Sequence, residues 1–255
     1  MTGSQTPDAI PAATLVIFRP AAAGPAEILM LERARTMAFA GGALVFPGGR
    51  VDAADRALAV TLAPEDPEDA AARIAAIRET LEEAGLPIGL SPLPDARRTN
   101  TIRAALHAGT SLGEALAEAG VTLNVATLTP FARWRPDQPG IRNFDTRFYL
   151  AALPEHAPPP SADHGETTRL FWASAASVLA DAEGGRGVLI YPTRRNLERL
   201  VRFADHAAAV ADARAHPVRT ITPTLEQRDG EPHLCIPEGL GYPVTAEAIA
   251  RVRRG

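Results

Sequence analysis

Residues 66–85 read as a single helix with two unlike faces, and that constrains what the rest of the chain can be. Asp66 is placed to cap it, Pro67 suits the first helical position, and Asp69 follows three residues later as in a capping box. Gly85 ends it, because a left-handed residue costs least there. Between these bounds Ala70, Ile74, Ile77 and Leu81 recur at helical spacing and form an apolar stripe. Glu79, Glu82 and Glu83 lie roughly opposite that stripe. Such a stripe must be covered by a sheet or by other helices.

The apolar runs that could supply a sheet are short. Residues 14–18 and 28–31 read as strands joined by the turn-forming segment 20–26, and 43–46 as a third that stops at a tight loop, Pro47-Gly48-Gly49. Further strands are expected around 127–134, 143–152 and 167–172, with a Pro-rich loop over 154–160. A helix should begin at Ser174, a longer one should span about 194–214, and Asp229-Gly230 should turn a hairpin between 218–226 and 233–236. Residues 91–121 read as a helical insertion, with Ser111 and Glu114 as a second capping box. Residues 1–12, polar and Pro-containing, are expected to be disordered. That leaves 13–255 as one domain with a helix and hairpin extension over about 194–240. Strands mixed with a few helices, without regular βαβ alternation, give an α+β class.

Composition narrows the partners. The 26 basic residues are all Arg, against 30 acidic ones, for a net charge of −4; a mildly acidic chain is poorly suited to nucleic acid. With 46% apolar and 22% charged residues it can bury a core, which excludes a disordered chain. No run approaches the ~18 apolar residues of a membrane span, and the apolar stretch at 10–18 has no basic residue before it. A cytoplasmic protein without a membrane partner is the expectation. Cys235 is the sole cysteine, which excludes an intramolecular disulfide and reads as a buried thiol.

The chemistry is concentrated in Arg78-Glu79-Thr80-Leu81-Glu82-Glu83-Ala84-Gly85-Leu86. Carboxylates at i, i+3 and i+4 share one helix face, where they repel one another by a few tenths of a kcal/mol per pair unless a cation offsets them. Carboxylate oxygens are the hard ligands that Mg²⁺ and Mn²⁺ prefer, and Mg²⁺ also takes oxygens from substrate phosphates. A solvated acidic face is the plainer reading of such a run taken alone.

Together with the preceding Phe46-Pro47-Gly48-Gly49, the segment resembles the Nudix box, a glycine followed by a helix carrying R-E-U-x-E-E-x-G-U, where U is bulky and aliphatic. Arg78, Glu79, Glu82, Glu83 and Gly85 match outright and Leu86 fills the last place. Between Gly49 and Arg78 the interval is about 15 residues longer than in the usual box, an extension that costs little loop entropy. Asp55 stands where the box has its first glutamate, with Asp69 a second claimant. The strings Leu29-Met30-Leu31-Glu32-Arg33-Ala34, Asn143-Phe144-Asp145-Thr146-Arg147-Phe148-Tyr149 and Tyr191-Pro192-Thr193 are similar to those of one Nudix branch, the coenzyme A and acyl-coenzyme A diphosphatases, which also carry the long insertion.

The resemblance implies a mixed β-sheet sandwiched between helices. It also implies an Mg²⁺- or Mn²⁺-dependent diphosphatase that splits a nucleoside diphosphate linked to another moiety, coenzyme A or acyl-coenzyme A first and ADP-ribose or a nucleotide sugar as the alternative. Glu82, Glu83 and the Gly48 carbonyl would be metal ligands. Glu79 would be the general base or a further ligand, Arg78 would hold its carboxylate, and Glu166 would be a late acidic residue brought to the metals. Arg33, Phe39 and Arg147 are nominated for the substrate pocket. A nucleotide-binding Nudix regulator without catalysis is the reading from another class, which retention of Glu79, Glu82 and Glu83 disfavours.

Other features read more plainly. The six histidines are taken as surface or core residues, and Gly184-Gly185-Arg186-Gly187 as a turn. Arg194, Arg195, Arg199 and Arg202 are taken as a solvated basic helix face, with an anion-binding or homodimer surface as the alternative.

Overall fold

The computed structural model describes residues 9–34, 40–137, 143–163, 165 and 167–252. Its strands are β1 (Ile10–Arg19), β2 (Glu27–Arg33), β3 (Leu44–Val45), β4 (Gly48–Arg50), β5 (Leu90–Ser91), β6 (Thr122–Leu123), β7 (Thr129–Trp134), β8 (Phe144–Ala152), β9 (Thr167–Ala173), β10 (Thr220–Ile221), β11 (Thr224–Arg228), β12 (Glu231–Cys235) and β13 (Ala246–Ala248). The α-helices are α1 (Ala53–Leu62), α2 (Pro67–Ala84), α3 (Ala96–His107), α4 (Leu112–Ala119), α5 (Ala175–Glu183), α6 (Tyr191–Leu200), α7 (His206–Ala215) and α8 (Ile249–Val252).

The main sheet is mixed, in the order β10-β7-β8-β1-β2-β3, with β4 also on β1 and β9 also on β2. β1 runs parallel to β8 from Ile10↔Phe144 to Phe18↔Ala152. Along its other edge β1 changes partner, pairing β4 at Ala12–Thr14 and β2 at Phe18–Arg19. That division lets the Pro47–Arg50 segment enter the sheet in front of α2. Alternation along the strands sends Ala13, Leu15, Ile17, Leu29, Leu31 and Tyr149 to one face, where α2, α3 and α4 cover them. Val16, Phe18, Met30, Phe148 and Leu150 go to the other, under α5, α6 and α7. The result is the expected α+β sandwich of a mixed sheet between helices.

Helix α2 begins and ends where its sequence says. Asp66 accepts from the Asp69 N–H at 3.1 Å, and Gly85, at φ 64°, donates back to Leu81 O. Its N-terminal end is tied to the sheet by Asp69, which accepts from Arg73, from Arg147 at 3.0 Å and from the Tyr149 hydroxyl at 2.7 Å. Burial works against an ionised Asp69, but the bonds from Arg73 and Tyr149 and the nearby guanidinium charges prevail and hold it below the usual carboxylate range. At the other end, Arg103 of α3 donates from Nε and Nη2 to Glu82 O at 2.9 and 2.7 Å, and the Ser161 N–H bonds Ala84 O. These are last-turn carbonyls that the helix itself leaves unsatisfied.

Several expectations change. Residues 1–8 lie outside the described ones, and β1 starts at Ile10, so 10–12 are strand. The extra residues between Gly49 and Arg78 are not all loop: they include α1, which buries Asp55 and Ala59 while the rest of it is mostly open. Pro47-Gly48-Gly49 does not stop pairing, because Gly48–Arg50 adds to β1 as β4. The helix expected over 194–214 is two, because Asp205 is an N-cap accepting from the Ala208 N–H, and the Ala204 carbonyl is used by Ala26. The run 218–226 divides at Pro223, its first part joining β7 and its second pairing with β12 across Asp229-Gly230. The basic run around α6 is solvated only in part: Arg195 and Arg199 are each 1% exposed, whereas Arg194 is half-buried and Arg202, past the end of the helix, is exposed. Cys235 is buried, as expected.

Candidate active site

Helix α2 presents Glu79, Glu82 and Glu83 to the Pro47–Arg50 segment, and Arg78 binds the corner together. Its Nε and Nη2 donate to the two oxygens of Asp55 at 3.1 and 3.0 Å, Nη2 also reaches Arg50 O at 2.9 Å, and Nη1 donates to both Glu79 and Glu82 at 3.0 Å. Asp55 is buried in the first turn of α1 and accepts the Asp52 N–H as well. Between the two claimants for the first acidic position of the box, Asp55 meets the arginine and Asp69 sits at the opposite end of α2. The fork geometry is what a guanidinium offers and an ammonium does not.

Two glycines allow the approach. Gly48 has φ 156°, its N–H donates to Glu83 Oε2 at 2.9 Å, and a Cβ there would collide with the Ala13 carbonyl and the Thr14 backbone. A Cβ on Gly49 would collide with the Glu79 carboxylate. Gly48 and Gly49 are therefore brought beside Glu83 and Glu79 despite the long interval between glycine and arginine.

The corner is half-buried and negatively charged. Burial is the largest influence on Glu79; with Glu82 beside it, and against the pull of Arg78, it pushes the carboxyl up to about 7. Glu82 is raised too, again by burial against the opposing Arg78. Among the described residues no three His, Cys, Asp or Glu side chains already surround one point; the Arg78 guanidinium bridges Glu79 and Glu82. The raised carboxyl has a measurable consequence. Folded Glu79 holds its proton up to about 7, against 4.5 ordinarily, so its contribution to stability is present at low pH and lost as pH rises through about 7. Metal-free protein should melt at a lower temperature at pH ~8 than at pH ~5.5, and Glu79→Gln should flatten part of that slope. A melting temperature rising across the window, or an unchanged slope in the variant, would contradict the assignment.

These carboxylates line one end of a cleft of about 750 Å³, within the size range of small-molecule sites. Phe46, Trp134, Phe144, Phe148 and Tyr191 make its walls largely apolar, and Thr14, Thr146 and Thr193 add hydroxyls. Of the pocket residues nominated from sequence, Arg33 lines the cleft. Arg147 does not: alternation on β8 sends it to the α2 face, where Asp69 binds it, and its neighbours Thr146 and Phe148 face the cleft instead. Phe39 and Glu166 lie outside the described residues. His107, at the end of α3, lines the cleft, contrary to its reading as a bystander, as do Trp134 and Tyr191. The signal for these three was weak, since each comes from an element whose direction only the fold sets.

No protein-family profile matches the chain. A Nudix hydrolase of Alicyclobacillus acidocaldarius superposes with a TM-score of 0.68 at 29% identity, over 80% of this chain and 96% of that one. The acyl-coenzyme A diphosphatase NUDT19 of Gallus gallus is 27% identical, over 72% of this chain; the match spans 64% of that protein's length. The box residues, the glycine approach and the sandwich architecture agree with these likenesses, and the chain belongs to the Nudix hydrolase superfamily.

Proposed function

We propose that this protein is a diphosphatase that hydrolyses a nucleoside diphosphate linked to another moiety, coenzyme A or an acyl-coenzyme A, and that residues 13–255 act as one catalytic unit. The observation that carries the hydrolase reading is the set of Glu79, Glu82 and Glu83 held against Gly48 and Gly49 at one end of a large cleft. The likeness to an acyl-coenzyme A diphosphatase supports the choice of substrate.

Nudix hydrolases generally use divalent metal ions, and the donors present fit one. All are hard oxygens, and four carboxylates, those of Asp52, Asp55, Glu79 and Glu82, meet the single guanidinium of Arg78, which leaves a surplus of negative charge around it in a half-buried corner. Glu82, Glu83 and the Gly48 carbonyl would hold the ion, with Glu79 as a further ligand or the base. When bound, Mg²⁺ or Mn²⁺ supplies charge against phosphoryl oxygens and acidifies water. The chain's own groups do the rest. Glu79, beside the glycine segment and lining the cleft, would take a proton from the attacking water. Arg78 fixes the direction of the Glu79 carboxylate while Asp55 keeps Arg78 in place. The Gly48 N–H holds Glu83 toward the glycine segment. Water adds to one phosphorus, the bridging P–O bond breaks, and the two products leave as phosphate monoesters.

With Mg²⁺ or Mn²⁺, coenzyme A thioesters should yield adenosine 3′,5′-bisphosphate and acyl-phosphopantetheine, identified by mass. Turnover of ADP-ribose or a nucleotide sugar with none of any coenzyme A form would remove the substrate choice and keep the diphosphatase. Nucleotide binding without turnover of any of them would leave the regulator.

A further inference from the structure

The first turn of α6 opens on the same cleft and has donors to spare. Ile190 at its N-cap has no side-chain acceptor and makes no cap. Pro192 brings no N–H, and the Arg194 N–H is already bonded to Ile190 O at 3.0 Å. That leaves the N–H groups of Tyr191 and Thr193, neither bonded to any described acceptor. Thr193 provides the second observation: it is 3% exposed, lines the cleft, and its hydroxyl has no partner among the described residues. Buried hydroxyls are ordinarily satisfied.

The turn is also rigidly placed. The Tyr191 hydroxyl donates to Leu234 O at 3.0 Å, and its ring stands edge-on to Trp134 with centroids 6.0 Å apart. Further along the helix, Tyr242 donates to Asn196 at 2.7 Å. Arg195, stacked on the Tyr191 ring, is engaged by Glu198 and Glu247. Arg195 Nε and Nη1 also lack a partner among the described residues, but Arg195 lines a different pocket. The spare donors on this cleft are therefore the helix N-terminus itself and Thr193, a combination suited to a phosphate. The cleft thus has one acidic end, fit for a cation and the diphosphate it would engage, and a separate wall fit for an anion.

We infer that Tyr191-Pro192-Thr193 is a second anion site, taking a phosphomonoester carried on the nucleoside of the substrate, apart from the diphosphate that is cleaved. The identity of the remaining substrate rests on the diphosphatase reading above; the anion site itself does not. A substrate bearing a 3′-phosphate would engage both ends at once, whereas ADP-ribose and nucleotide sugars would leave this turn empty.

Calorimetric titration of the full chain tests the inference without turnover, using adenosine 3′,5′-bisphosphate, adenosine 5′-monophosphate and inorganic phosphate as probes. In the wild type the bisphosphate should bind about tenfold or more tightly than the monophosphate, as charge-assisted hydrogen bonds allow. Thr193→Val should shrink that gap to about threefold or less, and Thr193→Ser, which keeps the hydroxyl, should preserve most of it. If Thr193→Val fails to fold, by circular dichroism, Thr193→Ala takes its place in the comparison. Equal binding of the two nucleotides, or a gap that survives loss of the hydroxyl, overturns the inference. Inorganic phosphate binding as tightly as the bisphosphate would make this a free-phosphate site and overturn the nucleoside assignment. Absence of turnover with the gap intact would count against the diphosphatase reading alone.

Discussion

Glu83→Gln should lower turnover by about a hundredfold or more, since a charge that stabilises developing phosphoryl charge supplies several kcal/mol and each 1.36 kcal/mol is a decade in rate. The amide keeps the size of the side chain and an oxygen that can still accept the Gly48 N–H, so the glycine segment and the melting temperature should stay close to wild type. What it removes is the negative charge that would hold a divalent cation, so excess Mn²⁺ should restore activity only in part. Glu79→Gln is the informative contrast. If Glu79 works as the base, its loss should also be severe, yet Mn²⁺ affinity should be nearly retained and the acid limb of the pH–rate profile flattened. Turnover, Mn²⁺ binding and melting temperature measured on both variants separate the two roles. Near-wild-type turnover of Glu83→Gln would refute the metal-site reading.

Arg199→Ala should be the most damaging substitution for stability, although it lies outside the cleft. Arg199 is buried between α6 and α7, where Nε bonds Asp212 at 2.9 Å, Nη2 forms an ion pair with the same carboxylate at 2.7 Å, and Nη1 donates to Phe131 O at 3.1 Å. Its guanidinium also lies 4.1 Å from the Phe131 ring centroid and 5.4 Å from that of Tyr242. Truncation leaves the Asp212 carboxylate without its guanidinium and with the His216 ring 3.3 Å away, and breaking a buried pair from one side costs about 3–5 kcal/mol. In a chain of this size that is a fall in melting temperature of roughly 6–20 °C. Replacing both partners by apolar residues, Arg199→Met with Asp212→Leu, should recover much of the loss, since the stranded charge is the main penalty. A single variant within about 1 kcal/mol of wild type by denaturant melts would contradict this account.

The contrast between these two sites shows what could be read in advance. Helix α2 was legible to within a residue because its signals are local: a capping aspartate, a proline, a periodic stripe and a terminal glycine. The glutamates and the glycine pair were legible because their spacing along the chain identifies them. Asp55 was ambiguous until the turn of α1 brought it to Arg78, a contact between residues 23 apart that no local pattern encodes. Arg147 was misdirected by a single step of strand alternation, which moves a side chain from one face of a sheet to the other. The α6 arginines read as solvated because charge ordinarily means exposure; that α7, β13 and the Phe131 strand would enclose them is a property of the assembled layers.

The exclusive use of arginine carries a consequence for alkaline conditions. Arg78 joins α1, α2 and the glycine segment, Arg103 fastens α3 to the end of α2, and Arg199 joins α6 to α7 and β7. A protein held by ammonium groups would begin to lose such ties near pH 10, as they surrender protons, whereas guanidinium groups remain charged beyond pH ~12. With no lysine in the chain, its internal cations do not buffer in that interval. The ties that position the acidic corner thus persist into base, and the phenols do not undo them first, because burial pushes Tyr191 and Tyr242 up to about 12 and raises Tyr149 as well.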